Sequence, residues 1–151
     1  MKLIKNEIKV RLIANNNSPQ IARGIITAFL ESENPTVEEL GDIRCSVSEA
    51  VDNCVSHAYK ELSANDFIYI SARIYDNGEF SIAVSDNGCG FDNIEWHIEP
   101  MHTTDKSGEH TGMGFTVMQS FMDSVAVKSK IGKGTTVLMK KRLTRESEDT
   151  E

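Results

Sequence analysis

Several things are missing from this 151-residue chain, and each absence excludes a class. No run reaches the roughly 18–20 apolar residues that a membrane helix requires. The opening Met-Lys-Leu-Ile-Lys-Asn-Glu breaks its apolar residues with charge too early for a secretory leader. Cysteine is scarce: Cys45, Cys54 and Cys89 are odd in number and form no CxxC pair, which argues against a disulfide framework or a zinc site. That usage suits a reducing compartment, so a cytoplasmic location is expected. Basic residues are outnumbered, 16 Lys and Arg against 23 Asp and Glu, for a net charge of −7. Such a body repels a nucleic-acid backbone, so no direct nucleic-acid partner and no membrane partner are expected. A single nucleotide stays open, because a small dipolar site can sit on an acidic body. Two common nucleotide signatures, GxxxxGK[ST] and GxGxxG, are also absent.

What is present is a one-domain chain, 39% hydrophobic, of ordinary size for a single core. Ile8, Val10 and Leu12 alternate with polar residues over 6–14, the pattern of a half-buried strand. Ser18-Pro19 opens a helix, with Ser18 as the expected N-cap and an apolar face of Ile21, Ile25 and Phe29 flanked by Ala22 and Ile26. Asn34-Pro35 breaks the chain. Thr36-Val-Glu-Glu39 is a capping box for a second helix, whose inner face is Leu40, Ile43, Val47, Val51, Cys54 and Ala58. Strands are predicted over 67–74 and 79–86 around an Asp76-Asn77-Gly78 hairpin turn. Residues 87–112 show little periodicity and read as a long lid or binding loop. A further helix carries Val117, Met118 and Phe121, and strands over 124–130 and 135–142 follow. This order predicts an α+β two-layer sandwich, with a mixed, mostly antiparallel sheet and helices on one face. Residues 1–143 form the domain and 144–151 a polar C-terminal tail.

Four clusters carry possible chemistry. Glu49, Asn53 and His57 fall at i, i+4 and i+8, on one helical stripe about 6 Å apart along the axis. An amide oxygen there suits Mg²⁺, and a carboxylate can accept a proton from an attacking hydroxyl. The alternative is a solvated helix face. Asp86-Asn-Gly-Cys-Gly90 ends a strand, where a carboxylate can accept from an exocyclic amine such as that of adenine. The alternative is an Asx turn. Gly112-Met-Gly114 leads into a helix, whose N-terminal N–H groups favour an anion such as phosphate; a flexible helix start is the alternative. Gly132-Lys-Gly-Thr-Thr136 reads on its own as a hairpin turn. The order and spacing of the four are more specific than any one of them.

In that order the residues resemble the GHKL ATPase/kinase superfamily, which includes the ATP domains of gyrase, Hsp90, histidine kinases and MutL. Glu49-xxx-Asn53 matches the N box, Asp86-x-Gly88-x-Gly90 the first glycine box, Gly112-x-Gly114 the second and Gly134-Thr135 the last. Within the superfamily the chain is similar to the anti-sigma F factors. The matching stretches include Ala22-Arg23, Val47-Ser-Glu-Ala-Val51, Gly112-Met-Gly-Phe-Thr116, Phe121-Met-Asp123 and Lys133-Gly-Thr-Thr-Val137.

The resemblance implies a Bergerat-type ATP-binding fold and a serine protein kinase. Such a protein binds a sporulation sigma factor and phosphorylates an anti-anti-sigma partner on serine, using ATP (leaving ADP) with Mg²⁺. It implies Glu49 as general base, Asn53 as Mg²⁺ ligand, and Asp86 with Thr135 at the adenine. Gly88 and Gly90 would shape that pocket. Thr104, His110, Thr111, Gly112, Met113 and Gly114 would supply lid and phosphate contacts, and Arg23 a partner contact. It also implies a homodimer. Two positions depart from the family pattern: His110 stands where an Arg is usual, and Asp105 where a Lys is usual. A neutral imidazole grips phosphate less firmly than a guanidinium fork, unless Lys106 supplies the charge. These departures motivate a second function, a nucleotide-holding module that sequesters a sigma factor without transferring phosphate. A stress-response anti-sigma kinase and a self-contained ATP hydrolase are further alternatives.

Overall fold

The structure, a computed structural model, describes residues 2–59, 62–63, 65–90, 94–98 and 114–144. Its strands are β1 (Ile4–Ile13), β2 (Phe67–Tyr75), β3 (Glu79–Asp86), β4 (Ile94–Ile98), β5 (Ser124–Lys130) and β6 (Gly134–Arg142). Its α-helices are α1 (Ser18–Leu30), α2 (Val37–Asn53) and α3 (Phe115–Phe121). The strands form one sheet in the order β1-β2-β3-β6-β5-β4, and all five pairings are antiparallel. The expected α+β sandwich is therefore found, with an antiparallel sheet throughout the described residues.

Period-two alternation explains which face of the sheet is covered. Ile68, Ile70, Ala72 and Ile74 of β2 are buried, as are Phe80, Ile82 and Val84 of β3, Val125 and Val127 of β5, and Val137 and Met139 of β6. They form one core with Ala22, Ile26 and Leu30 of α1, Ile43, Val47 and Val51 of α2, and Phe115 and Met118 of α3. Full burial of such a side chain contributes about 1.5–3 kcal/mol. That matters most for α3, whose seven residues are far too few to hold a helix alone in water. On the opposite face Tyr69 is exposed, and Ser85 and Thr136 pair their hydroxyls at 3.0 Å.

The Thr36–Glu39 capping box is present: Glu39 N–H donates to Thr36 Oγ1 at 3.0 Å and Thr36 N–H to Glu39 Oε1 at 2.9 Å. Glu39 has a second task. Its Oε2 accepts from Thr144 N–H at 2.7 Å and from the Thr144 hydroxyl at 3.1 Å, tying the residue that follows the last strand to the start of α2. The hairpin at Asp76-Asn77-Gly78 also forms, with Gly78 at φ 88°. Both ends of the described chain gather at it. Leu3 and Asp76 exchange hydrogen bonds, Lys2 pairs with Glu79 at 2.6 Å, and Leu143 N–H donates to Gly78 O at 2.9 Å.

Three expectations are corrected. The N-cap of α1 is Asn17, not Ser18; the Ser18 hydroxyl accepts from Asn15 N–H and donates to Ile13 O, closing the turn that enters the helix. The buried face of α1 centres on Ala22, Ile26, Phe29 and Leu30, while Ile21 is 47% exposed, because the small Ala22 lets the helix approach closely along its own line. Residues 87–112 are not all loop: β4 lies within them and pairs with β5 from Ile94↔Ser129 to Ile98↔Val125. Of the segment 144–151 expected as tail, Thr144 is bonded to Glu39 and 145–151 lie outside the described residues.

Candidate nucleotide site

The second helix supplies the first wall. Glu49 and Asn53 lie on α2 one turn apart, and both are half-buried. Beyond Asn53 the helix widens into a π turn, Cys54–Ala58, and then breaks to extended backbone at Tyr59. His57 lies in this π turn; it is exposed and lines the same pocket as Asn53.

The π turn also serves as a clamp. Ala58 O accepts from Cys89 N–H at 2.7 Å, and Cys89 O accepts from Gly132 N–H at 2.7 Å. The loop after β3 is thus held between the end of the second helix and the β5–β6 turn. A side chain at position 88 would put its Cβ 2.1 Å from Ala58 O, so only glycine permits this approach. At Gly134 the same closeness combines with a left-handed backbone: φ is 92°, and a Cβ would fall 2.1 Å from Asp86 O. On the outer side, the Tyr59 hydroxyl donates to Phe67 O at 2.6 Å and accepts from Asn87 N–H at 3.1 Å.

These clamps fix Asp86 at the end of β3, where it is 6% exposed. Its Oδ1 accepts from Gly88 N–H at 2.9 Å and from Thr135 N–H at 3.3 Å. Burial raises the Asp86 carboxyl above its ordinary value, and bonds from Gly88, the Cys54 thiol and Thr135 pull the other way. Burial, with the nearby Asp86 charge, pushes the Cys54 thiol well up, so Cys54 is a packing residue and not a reactive one.

The pocket above Asp86 is small, with a cavity volume of about 20 Å³, room for about one water. Ala50, Val84, Phe115 and Val137 give it apolar walls, while Asn53, Asp86 and Thr135 supply convergent polar groups, with Gly90 and His57 at its edge. A flat heterocycle with one amine fits that chemistry. Glu49 stands next to it, at the start of α3. A Cβ on Gly114 would lie 2.4 Å from Glu49 Oε2, and Gly114 caps the helix at φ 74°. Arg23, on α1, donates from Nη1 to Ser48 Oγ at 2.7 Å, at the α2 position just before Glu49.

Asn53, Asp86, Gly90 and Thr135 thus line one pocket, with Gly88 in its clamp and Glu49 against Gly114 beside it. Thr104, Asp105, Lys106, His110, Thr111, Gly112 and Met113 lie outside the described residues. Among the described residues no cluster of three or more His, Cys, Asp or Glu could hold a metal ion. Sequence reasoning missed Ser129, whose hydroxyl lies 2.8 Å from that of Thr135. Its only signal was a polar residue on the inward side of a strand whose other inward residues, Val125 and Val127, are apolar.

A family model described as the histidine kinase-like ATPase domain matches residues 14–141. The fold agrees. A solved structure of the RsbU and RsbW domains of a Mycobacterium tuberculosis protein superposes with a TM-score of 0.68 at 18% identity, over 97% of this chain and 35% of that one. A histidine kinase domain from Erythrobacter litoralis gives 0.53 at 17% identity, over 83% and 60%. The class is a kinase-type ATPase domain, which implies ATP or ADP binding. Relatives narrow it further. The anti-sigma F factor of Clostridium perfringens strain SM101 is 42% identical over 138 residues, covering 91% of this chain and 97% of the relative. That of Clostridium acetobutylicum is 39% identical over 140 residues, covering 93% and 96%. The chain belongs to the anti-sigma F factor family of the GHKL superfamily. No helix among the described residues is long and apolar enough to cross a membrane.

Proposed function

We propose that the chain is an anti-sigma factor and serine protein kinase. It binds a sporulation sigma factor and uses ATP to phosphorylate an anti-anti-sigma protein on serine. One observation carries the reading: a buried amine-accepting carboxylate, Asp86, lines the pocket, and a half-buried carboxylate, Glu49, stands beside that pocket against Gly114. The first suits the base of a nucleotide and the second a hydroxyl arriving at its phosphates. Phosphoryl transfer is mostly positioning and charge stabilisation, so this sparse equipment suffices.

In this reading Asp86 and Thr135 hold adenine while Gly88 and Gly90 shape its slot. Asn53 holds Mg²⁺, which neutralises phosphate charge when bound. Glu49 accepts the proton of the partner's serine. Thr104, His110, Thr111, Gly112, Met113 and Gly114 contact the phosphates. Arg23, fixed by Ser48, meets the partner close to Glu49. Family membership supports the sigma factor, a homodimer and a cytoplasmic location.

The test is to incubate the chain with Mg²⁺, γ-labelled ATP and a candidate anti-anti-sigma protein. Label on a partner serine is the expected result. Tight sigma-factor binding with ATP bound but no label transferred would leave the sequestering module in its place.

A further inference from the structure

Where β2 and β3 part, a side chain takes the place of the sheet. Their register ends at Ile68↔Asp86, so the next rung would join Phe67 to Asn87. Successive residues of a strand turn their backbone groups to opposite neighbours. Asp66 O accepts from Ala14 N–H at 2.7 Å, on the β1 side, so Phe67 O faces the β3 side. There it is met by the Tyr59 hydroxyl at 2.6 Å, and the same phenol oxygen takes Asn87 N–H at 3.1 Å. The partners fix both directions, because a carbonyl only accepts and a backbone N–H only donates. Tyr59 therefore gives its one proton to Phe67 and a lone pair to Asn87.

One oxygen is thus inserted into what would be the last rung of the ladder, and Asn87 leaves the sheet. The turn that follows is tightly set. Gly88 N–H donates to Asp86 Oδ1 at 2.9 Å, Cys89 N–H donates to Ala58 O at 2.7 Å, and Gly90 lines the pocket. The N–H groups of Asn87, Gly88 and Cys89 are all held, and for Asn87 the holder is a side chain from outside the loop. The Tyr59 ring packs against the core. Burial pushes its phenol up from the ordinary value, so the proton stays on at neutral pH. Without the hydroxyl, Phe67 O and Asn87 N–H are left to pair directly, as the register invites. The ladder would then close by one rung and draw Gly88 and Gly90 toward β2, away from the pocket.

We propose that Tyr59 is a positioning residue for nucleotide binding: its hydroxyl replaces the last β2–β3 rung and so keeps the Asn87–Gly90 loop in the shape that receives the base. The inference rests on the reading that the pocket holds an adenine nucleotide. Tyr59 is not among the residues that line the pocket, so it acts through Asn87 and the turn after it.

The experiment measures ATP affinity of the full chain by titration calorimetry, and KM and kcat for ATP in label transfer. The variants are Y59F and E39Q, with melting temperatures recorded for both. Y59F keeps the ring and removes only the bridging oxygen. Its ATP affinity should fall about tenfold, the scale of one lost oriented hydrogen bond, and the loss should appear in KM and not in kcat. E39Q breaks a bonded carboxylate near the opposite end of α2 and controls for lost stability alone, so its affinity should be unchanged. Where no label is transferred, affinity decides by itself. A Y59F affinity equal to that of the unmodified chain overturns the inference and leaves the adenine reading standing. So does an equal loss in E39Q, or a loss confined to kcat. Should Y59F fail to fold, amide hydrogen exchange on the unmodified chain decides. Asn87 N–H exchanging well below the unstructured rate upholds the bridge, and exchange at the unstructured rate overturns it. An unmodified chain that does not bind ATP removes the adenine reading and the inference with it.

Discussion

At the floor of the pocket, Asp86 is almost fully buried, held by two backbone N–H groups and enclosed by a loop clamped on both sides. Beside the pocket, Glu49 is half-buried on a helix face, against the cap of a seven-residue helix. One carboxylate is set by backbone geometry and the sheet; the other rests on side chains with room to move. On the proposed reading, recognition of the base belongs to the rigid frame, whereas transfer belongs to groups that an arriving partner can still adjust. The two functions should come apart under mutation, each in its own direction.

The sharpest way to separate them is Glu49→Gln. Removing a general base costs about 10²–10⁴-fold in the transferring step. Rates of label transfer should fall by that range, while ATP affinity from calorimetry stays within about threefold. A transfer rate near that of the unmodified chain would break the comparison at its weaker end. Asp86→Asn tests the rigid end and should have a smaller effect. It replaces a charged acceptor by a group with an amine facing the base, and a hydrogen bond to a charged group is worth about 1.5–3 kcal/mol. ATP should bind roughly 10–100-fold more weakly, with transfer largely restored at saturating nucleotide.

The third change touches neither end. Burial tends to raise the Glu39 carboxyl, but the N–H groups of Thr36 and Thr144 and their hydroxyls outweigh it and hold it below its ordinary value of 4.5. A carboxylate lowered in the folded state stabilises fully above the unfolded value and loses that contribution as pH falls through the folded one. Chemical denaturation should therefore show stability declining below about pH 4.5. Glu39→Gln should lose about 1–3 kcal/mol at neutral pH and lack this part of the acid slope, with ATP affinity unchanged. Asp86, raised by burial, contributes in the opposite sense, stabilising more as pH falls, and it is common to both proteins. An unaltered slope in the variant would remove Glu39 from the acid response.

Much of this was legible in the residues because the signals were local. The Thr36–Glu39 box, the Asp76-Asn77-Gly78 turn and the alternation in β2 and β3 each need only a few neighbours in sequence. The pocket set of Asn53, Asp86, Gly90 and Thr135 was legible through the order of its motifs. What escaped depends on distant partners. β4 has five residues and exists through its pairing with β5. The π turn that carries His57 is bonded to a loop some thirty residues away, through Ala58 and Cys89. Ser129 became visible only when the register set it opposite Thr135.

The meeting of Leu3 and Leu143, near both ends of the described chain, at the Asp76–Glu79 hairpin gives the described residues two poles. β3 runs from that hairpin to Asp86, so the ends and the nucleotide loop are separated by roughly 23 Å of strand. A surface anchor or fluorescent label fused at either end would hold the protein by its back, with the nucleotide pocket facing outward. With Leu3 and Leu143 both bonded to this one hairpin, a short flexible linker could join the old ends and new ones be opened elsewhere. The pole that reads the nucleotide would keep every strand it is built from.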